Sequence, residues 1–115
     1  MEELWKDISG FEGYYQISST GRVKSLPFMQ RYLLRNGVPA YRRTKERILK
    51  PRSQNSGYAM VQLWHENACA GKLVHRLVAF AFLPGFSPGL EVNHKDGVKS
   101  NNVLSNLEWV TASEN

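Results

Sequence analysis

A chain of 115 residues with 42% hydrophobic content supports one compact domain, or two small modules sharing a core, and excludes a large multi-domain enzyme. The net charge of +5 and a pI near 9.6 point to an anionic partner. Cys69 is the only cysteine, which excludes an internal disulfide and a cysteine-rich zinc ribbon.

The acidic start MEELWKD lacks the basic and apolar regions of a signal peptide, and no apolar run approaches the roughly 18 residues of a membrane span. A soluble, cytoplasmic protein without a membrane partner is expected. In the first block, Tyr14 to Ile17 and Arg22 to Ser25 read as short strands joined by a Ser-Ser-Thr-Gly turn, a β-hairpin. Trp5 and Tyr15 suit packing, whereas Arg22 and Lys24 suit phosphate contact.

Charge is concentrated in the next stretch. Arg22, Lys24, Arg31, Arg35, Arg42, Arg43, Lys45, Arg47, Lys50 and Arg52 face one acid, Glu46, for a local +9 that leaves −4 on the rest. Tyr32 and Tyr41 interleave with the arginines, placing groups that stack beside groups that bind phosphate. Phe28 to Thr44 carries Pro39 and the Asn36-Gly37 turn signal, so a long exposed loop or an extended hairpin arm is expected, one that orders on DNA.

Ile48 to Lys50 and Tyr58 to Trp64 have the β-branched and aromatic content of strands, with Ser53 to Gly57 as the turn between them. His65 ends the second strand without a paired ligand. In KLVHRLVAFAFLPGF, Leu73, Leu77, Phe80 and Ala81 recur at helical spacing, Val74, Val78 and Phe82 widen the apolar face, and Pro84-Gly85 ends the element. The spacing predicts a buried helix of about two to three turns. His75 at its start reads as structural or phosphate-facing, and no HExxH pattern accompanies it.

The last stretch is VNHKDGVKSNNVLSNLEWVTASEN. Leu90 to His94 reads as a strand, Asp96-Gly97 as a turn and Leu107 to Val110 as a second strand, with Thr111 or Ser113 placed to cap a helix. Asp96 reads as a turn former, Asn101 and Asn102 as loop residues able to touch DNA, and Glu108 as a solvent carboxylate. One imidazole and several carboxamides therefore gather around one hairpin.

With His94, Asn106 and Asn115 at these offsets, the chain resembles the HNH endonucleases. The amino-terminal residues Trp5, Lys6, Asp7, Ile8, Gly10, Phe11, Glu12, Gly13, Tyr15, Ser18, Gly21, Arg22 and Val23 resemble the modular DNA-binding segment found ahead of HNH domains in phage and mobile-element nucleases. The resemblance implies an α+β fold: small antiparallel hairpins and sheet, then a helix, then a carboxy-terminal ββα-metal unit. It divides the chain into a DNA-binding segment with a basic arm at 1–52 and a nuclease domain at 53–115. It further implies His94 as general base, Asn106 orienting the imidazole or its loop, and Asn93 and Asn115 as ligands of one divalent metal, Mg²⁺ or Mn²⁺.

The expected partner is double-stranded DNA, bound through Arg22, Lys24, Arg31, Arg35, Arg42, Arg43, Lys45 and Arg47 by a monomer or weak homodimer that nicks one strand. Two departures stand out. Asn93 is neutral where relatives often carry aspartate, so metal affinity without DNA should be weaker. Asn115 is the last residue, so the helix that would hold this ligand is nearly absent and a frayed terminus is expected. The rival readings are a DNA-binding module or regulator without catalysis, and an RNA-binding regulator, which would need stacking surfaces for unpaired bases.

Overall fold

Short strand-forming runs punctuated by glycine turns build most of the molecule. The computed structural model describes residues 2–65 and 68–113. The first sheet joins β1 (Trp5–Asp7), β2 (Tyr15–Ser18), β3 (Val23–Ser25) and β6 (Arg47–Ile48) in that order, all antiparallel. Between β3 and β6 the chain leaves the sheet as a two-stranded ribbon, β4 (Met29–Leu33) against β5 (Pro39–Arg43). The arm expected from the sequence is therefore a hairpin. Gly37 at its tip takes φ +83, which the Asn36-Gly37 turn requires.

A three-stranded sheet follows, β7 (Arg52–Ser53), β8 (Ala59–His65) and β9 (Ala68–Leu73). In β8, Val61 and Leu63 point inward while Gln62 and Trp64 face out, the period of two that a half-buried strand requires. β9 has no sequence signature, because Ala-Cys-Ala-Gly-Lys-Leu lacks the residues that favour strands. It pairs through backbone bonds with β8 and leads directly into α1 (Val74–Phe82).

The helix is where it was expected and presents most of the expected face, with Leu77, Ala81 and Phe82 packed half-buried against the core. Its buried residues are Val74, His75, Val78 and Ala79, while Phe80 is 60% exposed and Leu73 belongs to β9. The compact valines lie deepest against the sheets at the i, i+4 spacing of one helix face, and Phe80 alone of the expected helical residues is turned out. The helix closes where Leu83 N–H donates to the carbonyl of Ala79, just before Pro84.

The last unit is an antiparallel hairpin of β10 (Leu90–His94) and β11 (Leu107–Thr111), with a 3₁₀ turn at Leu104–Asn106 before the second strand. Thr111 ends β11, and its hydroxyl lies 3.1 Å from that of Ser113. The helix expected beyond Ser113 lies outside the described residues.

One apolar core joins these pieces. Ile8, Tyr15, Ile17 and Val23 from the first sheet meet Val61 and Leu63, the helix valines, and Val92 and Leu107 of the last hairpin. The Tyr15 hydroxyl accepts a hydrogen bond from Trp64 N–H at 3.1 Å, tying the two sheets. The amino-terminal strands thus brace the hairpin that carries His94. Among the described residues, no helix is long and apolar enough to cross a membrane.

Candidate active site

His94 is the last residue of β10, opposite Leu107, and is 6% exposed. Alternation along the strand turns Val92 and His94 inward and Asn93 to the other face. The imidazole sits in a small ring stack. Tyr58 lies over His75 with centroids 4.8 Å apart, and His94 is 5.1 Å from His75 and 5.9 Å from Tyr58.

The polar partner of His94 is Asn102, whose Oδ1 is 2.8 Å from Nε2. An amide oxygen only accepts, so Nε2 carries the hydrogen and Nδ1 keeps its lone pair. That is the tautomer a general base needs. His75 is buried, and its Nδ1 has no hydrogen-bond partner among the described residues. Burial, then the neighbouring His94 and Arg76, push its pKa down to about 4, so the ring stays neutral beside His94.

Asn106 does not reach the imidazole. Its Oδ1 accepts from Asp96 N–H at 3.1 Å, and its Nδ2 donates to Asp96 Oδ1 and to the Asn101 carbonyl, each at 2.9 Å. Of the two roles open to Asn106, its hydrogen bonds are those of a residue that holds the loop. Asp96 is the turn former expected of it, accepting also from Val98 N–H and from Asn101. Hydrogen bonds from Asn101, then Val98, then Asn106 hold its carboxyl below the usual range.

The loop is braced from outside. Leu104 N–H donates to the Ser19 carbonyl at 2.8 Å, and Gly21, at φ +92, lies so close that a β-carbon there would sit 2.9 Å from Cβ and O of Asn102. Glycine is required on both counts. On the other side Lys99 donates to the Ser56 carbonyl at 2.7 Å and lies over the Tyr58 ring.

Asn93 stands directly opposite Glu108, and its Nδ2 donates to Glu108 Oε1 at 2.9 Å. Glu108 is thus paired across the hairpin and is not the free solvent carboxylate expected. The remaining proposed ligand, Asn115, lies outside the described residues. His65 packs edge-on against Tyr14 and Phe11, in keeping with a structural role.

The basic residues fall into two groups. Arg22 is paired with Glu3, its Nε 2.9 Å from Oε2 and its Nη2 on Oε1; this partner and Thr20 lower the Glu3 carboxyl to about 2. Lys24 lies 3.4 Å from Glu46 and 4.2 Å over the Trp5 ring. Both cations already have an acid. Arg31, Arg42 and Arg43 on the ribbon, Arg35 near its tip, and Lys45 and Arg47 beyond it are all exposed. Arg42 also lies over Tyr32 and donates to Gln30.

What the sequence did not disclose is the contact of Asn102 with His94, the pairing of Glu108 with Asn93 and the Tyr58–His75 stack. Glu108 had a usable signal, since pairing His94 with Leu107 places residue 108 opposite residue 93.

Known proteins are similar to this chain in sequence and fold. Residues 3–64 match the NUMOD4 motif family and residues 72–115 the HNH endonuclease family. DNA endonuclease I-HmuI of Bacillus phage SP01 is 40% identical over 111 residues, covering 96% of this chain and 54% of its own. The uncharacterized HNH endonuclease L247 of Acanthamoeba polyphaga mimivirus is 37% identical over 118 residues, covering 98% of this chain and 25% of its own. The solved structure concerning DNA binding and cleavage by the HNH homing endonuclease I-HmuI superimposes with a TM-score of 0.76 at 39% identity, covering 99% of this chain and 55% of that one. The chain spans about half the length of I-HmuI.

Proposed function

Since the chain belongs to the HNH endonuclease family, with a NUMOD4 motif ahead of its HNH segment, we propose that it hydrolyses phosphodiester bonds of double-stranded DNA, nicking one strand with the help of one divalent metal, Mg²⁺ or Mn²⁺. The observation that carries this reading is the held imidazole: His94 Nε2 is fixed by Asn102 at 2.8 Å. Its Nδ1 is then the atom that takes the proton of the attacking water. The neutral His75 ring beside it adds no second positive charge as His94 takes up that proton. Asn106 keeps the loop that carries Asn102 in place.

Asn93 fits a hard cation, because its carboxamide turns Nδ2 to Glu108 and leaves Oδ1 to coordinate. Asn115 supplies a second such oxygen. The bound cation supplies charge stabilisation at the phosphate and at the departing 3′ oxygen. The products carry 5′-phosphate and 3′-hydroxyl ends.

DNA is held by residues 1–52 and cut by 53–115. The ribbon strands, about 17 Å long, carry Arg31, Arg42 and Arg43 to the backbone, with Arg35, Lys45 and Arg47 alongside. Arg22 and Lys24 contribute less because Glu3 and Glu46 offset them. The protein acts as a monomer or weak homodimer in the cytoplasm, that of a bacterial host cell if it is phage-encoded. The test is relaxation of supercoiled plasmid in Mg²⁺ or Mn²⁺ and not in EDTA, leaving nicks that DNA ligase reseals. DNA binding without nicking in either metal would leave a DNA-binding module.

A further inference from the structure

We propose that Glu108 is a working part of the cation site, carrying its negative charge and setting Asn93 so that the carboxamide oxygen is the atom offered to the metal. This rests on the nuclease reading above. Asn93 and Glu108 are direct cross-strand partners on one face of the hairpin, the arrangement in which paired side chains meet. A carboxylate only accepts hydrogen bonds, so it selects Nδ2 of Asn93, and the 2.9 Å separation follows that rule. The amide orientation is therefore fixed by charge, with Oδ1 as the remaining lone-pair atom.

The charge argument is independent of the orientation. A divalent cation is held by oxygen donors and more tightly when they carry charge. Asn93 contributes none, and Asp96, the carboxylate two residues beyond His94, already accepts from Val98, Asn101 and Asn106. Glu108 stands against the proposed ligand itself. An aspartate at 93 would face Glu108 with like charge, so asparagine at 93 and glutamate at 108 form a matched pair that avoids two carboxylates directly opposite each other.

The test uses the full chain with His94→Ala, which keeps the DNA uncut, and measures Mn²⁺ binding to its complex with a short duplex from the electron paramagnetic resonance of free Mn²⁺. Glu108→Gln preserves an acceptor for Asn93 and removes only the charge. We expect Mn²⁺ affinity to fall by about tenfold or more, with the melting temperature unchanged. Asn93→Asp combined with Glu108→Gln returns the charge to the opposite strand and restores most of the affinity. Equal Mn²⁺ affinity in Glu108→Gln and its parent, or no recovery in the double variant, would overturn the role of Glu108 while leaving the nuclease reading intact. A parent complex that binds no Mn²⁺ would overturn both.

Discussion

The carboxamide oxygen of Asn102 lies 2.8 Å from Nε2 of His94, which selects for the neutral imidazole the tautomer whose Nδ1 lone pair is free. Replacing Asn102 with leucine, close in size and without an acceptor, frees the ring to adopt the wrong tautomer. Nicking should slow by about 10- to 100-fold with DNA affinity unchanged, as for other groups that orient a reacting side chain. Single-turnover nicking beside a gel-shift titration checks both.

Asn106 should behave differently. Its three side-chain bonds hold the loop from Asp96 to Asn101, so Asn106→Ala should lower stability by about 1–3 kcal/mol as well as slow nicking. Chemical denaturation separates it from Asn102→Leu, whose effect is on the rate.

Gly21→Ala tests the brace between the first hairpin and the site. The new methyl would meet Asn102 at 2.9 Å and the backbone would be strained at φ +92, at a cost of about 1–3 kcal/mol, with nicking reduced because Asn102 must move. Gly37→Ala, with nothing within 4 Å, should incur only the backbone strain and leave nicking intact.

His75 gives the fold a pH dependence of defined sign. Its native pKa of about 4 lies below the ordinary 6.5, so between these values the unfolded chain binds a proton that the native ring refuses. Stability attributable to His75 is complete above about 6.5, falls as pH drops, and levels off below about 4, with a decrease of roughly 2 kcal/mol between neutral pH and pH 5. Urea unfolding of wild type and His75→Phe across this range should show that slope in the first and none in the second.

The ribbon arginines predict a salt dependence. Replacing Arg31, Arg42 and Arg43 together with alanine should weaken DNA binding alike across sequences. The slope of log affinity against log salt should fall by about 0.9 for each phosphate these side chains neutralise. Arg22→Ala and Lys24→Ala should change it less, since each removes a cation already paired with an acid.

Much of this architecture was legible in the chain. The Asp96-Gly97 turn and the alternation through Val92 and His94 locate the hairpin, and Pro84 marks the end of the helix. The choice between Asn102 and Asn106 as partner of His94 was not legible, because it depends on how a loop of several bonded asparagines folds back on itself. Nor was the pairing of Arg22 with Glu3, which depends on the segments ahead of β1 and β3 meeting across 19 residues of chain. β9 was hidden for a different reason: its pairing is made by backbone groups that every residue carries. The match to the HNH endonuclease family covers the hairpin unit as a whole, and the proposed roles of His94 and Asn93 join that resemblance to the contacts each side chain makes.

The most direct measurement is nicking of supercoiled plasmid by the wild-type chain and by His94→Ala, in Mn²⁺, Mg²⁺ and EDTA, with DNA binding measured on the same preparations. The proposed mechanism predicts metal-dependent nicking by wild type that His94→Ala abolishes while DNA binding persists. Equal nicking by the variant, or DNA binding by wild type without nicking in either metal, would contradict it.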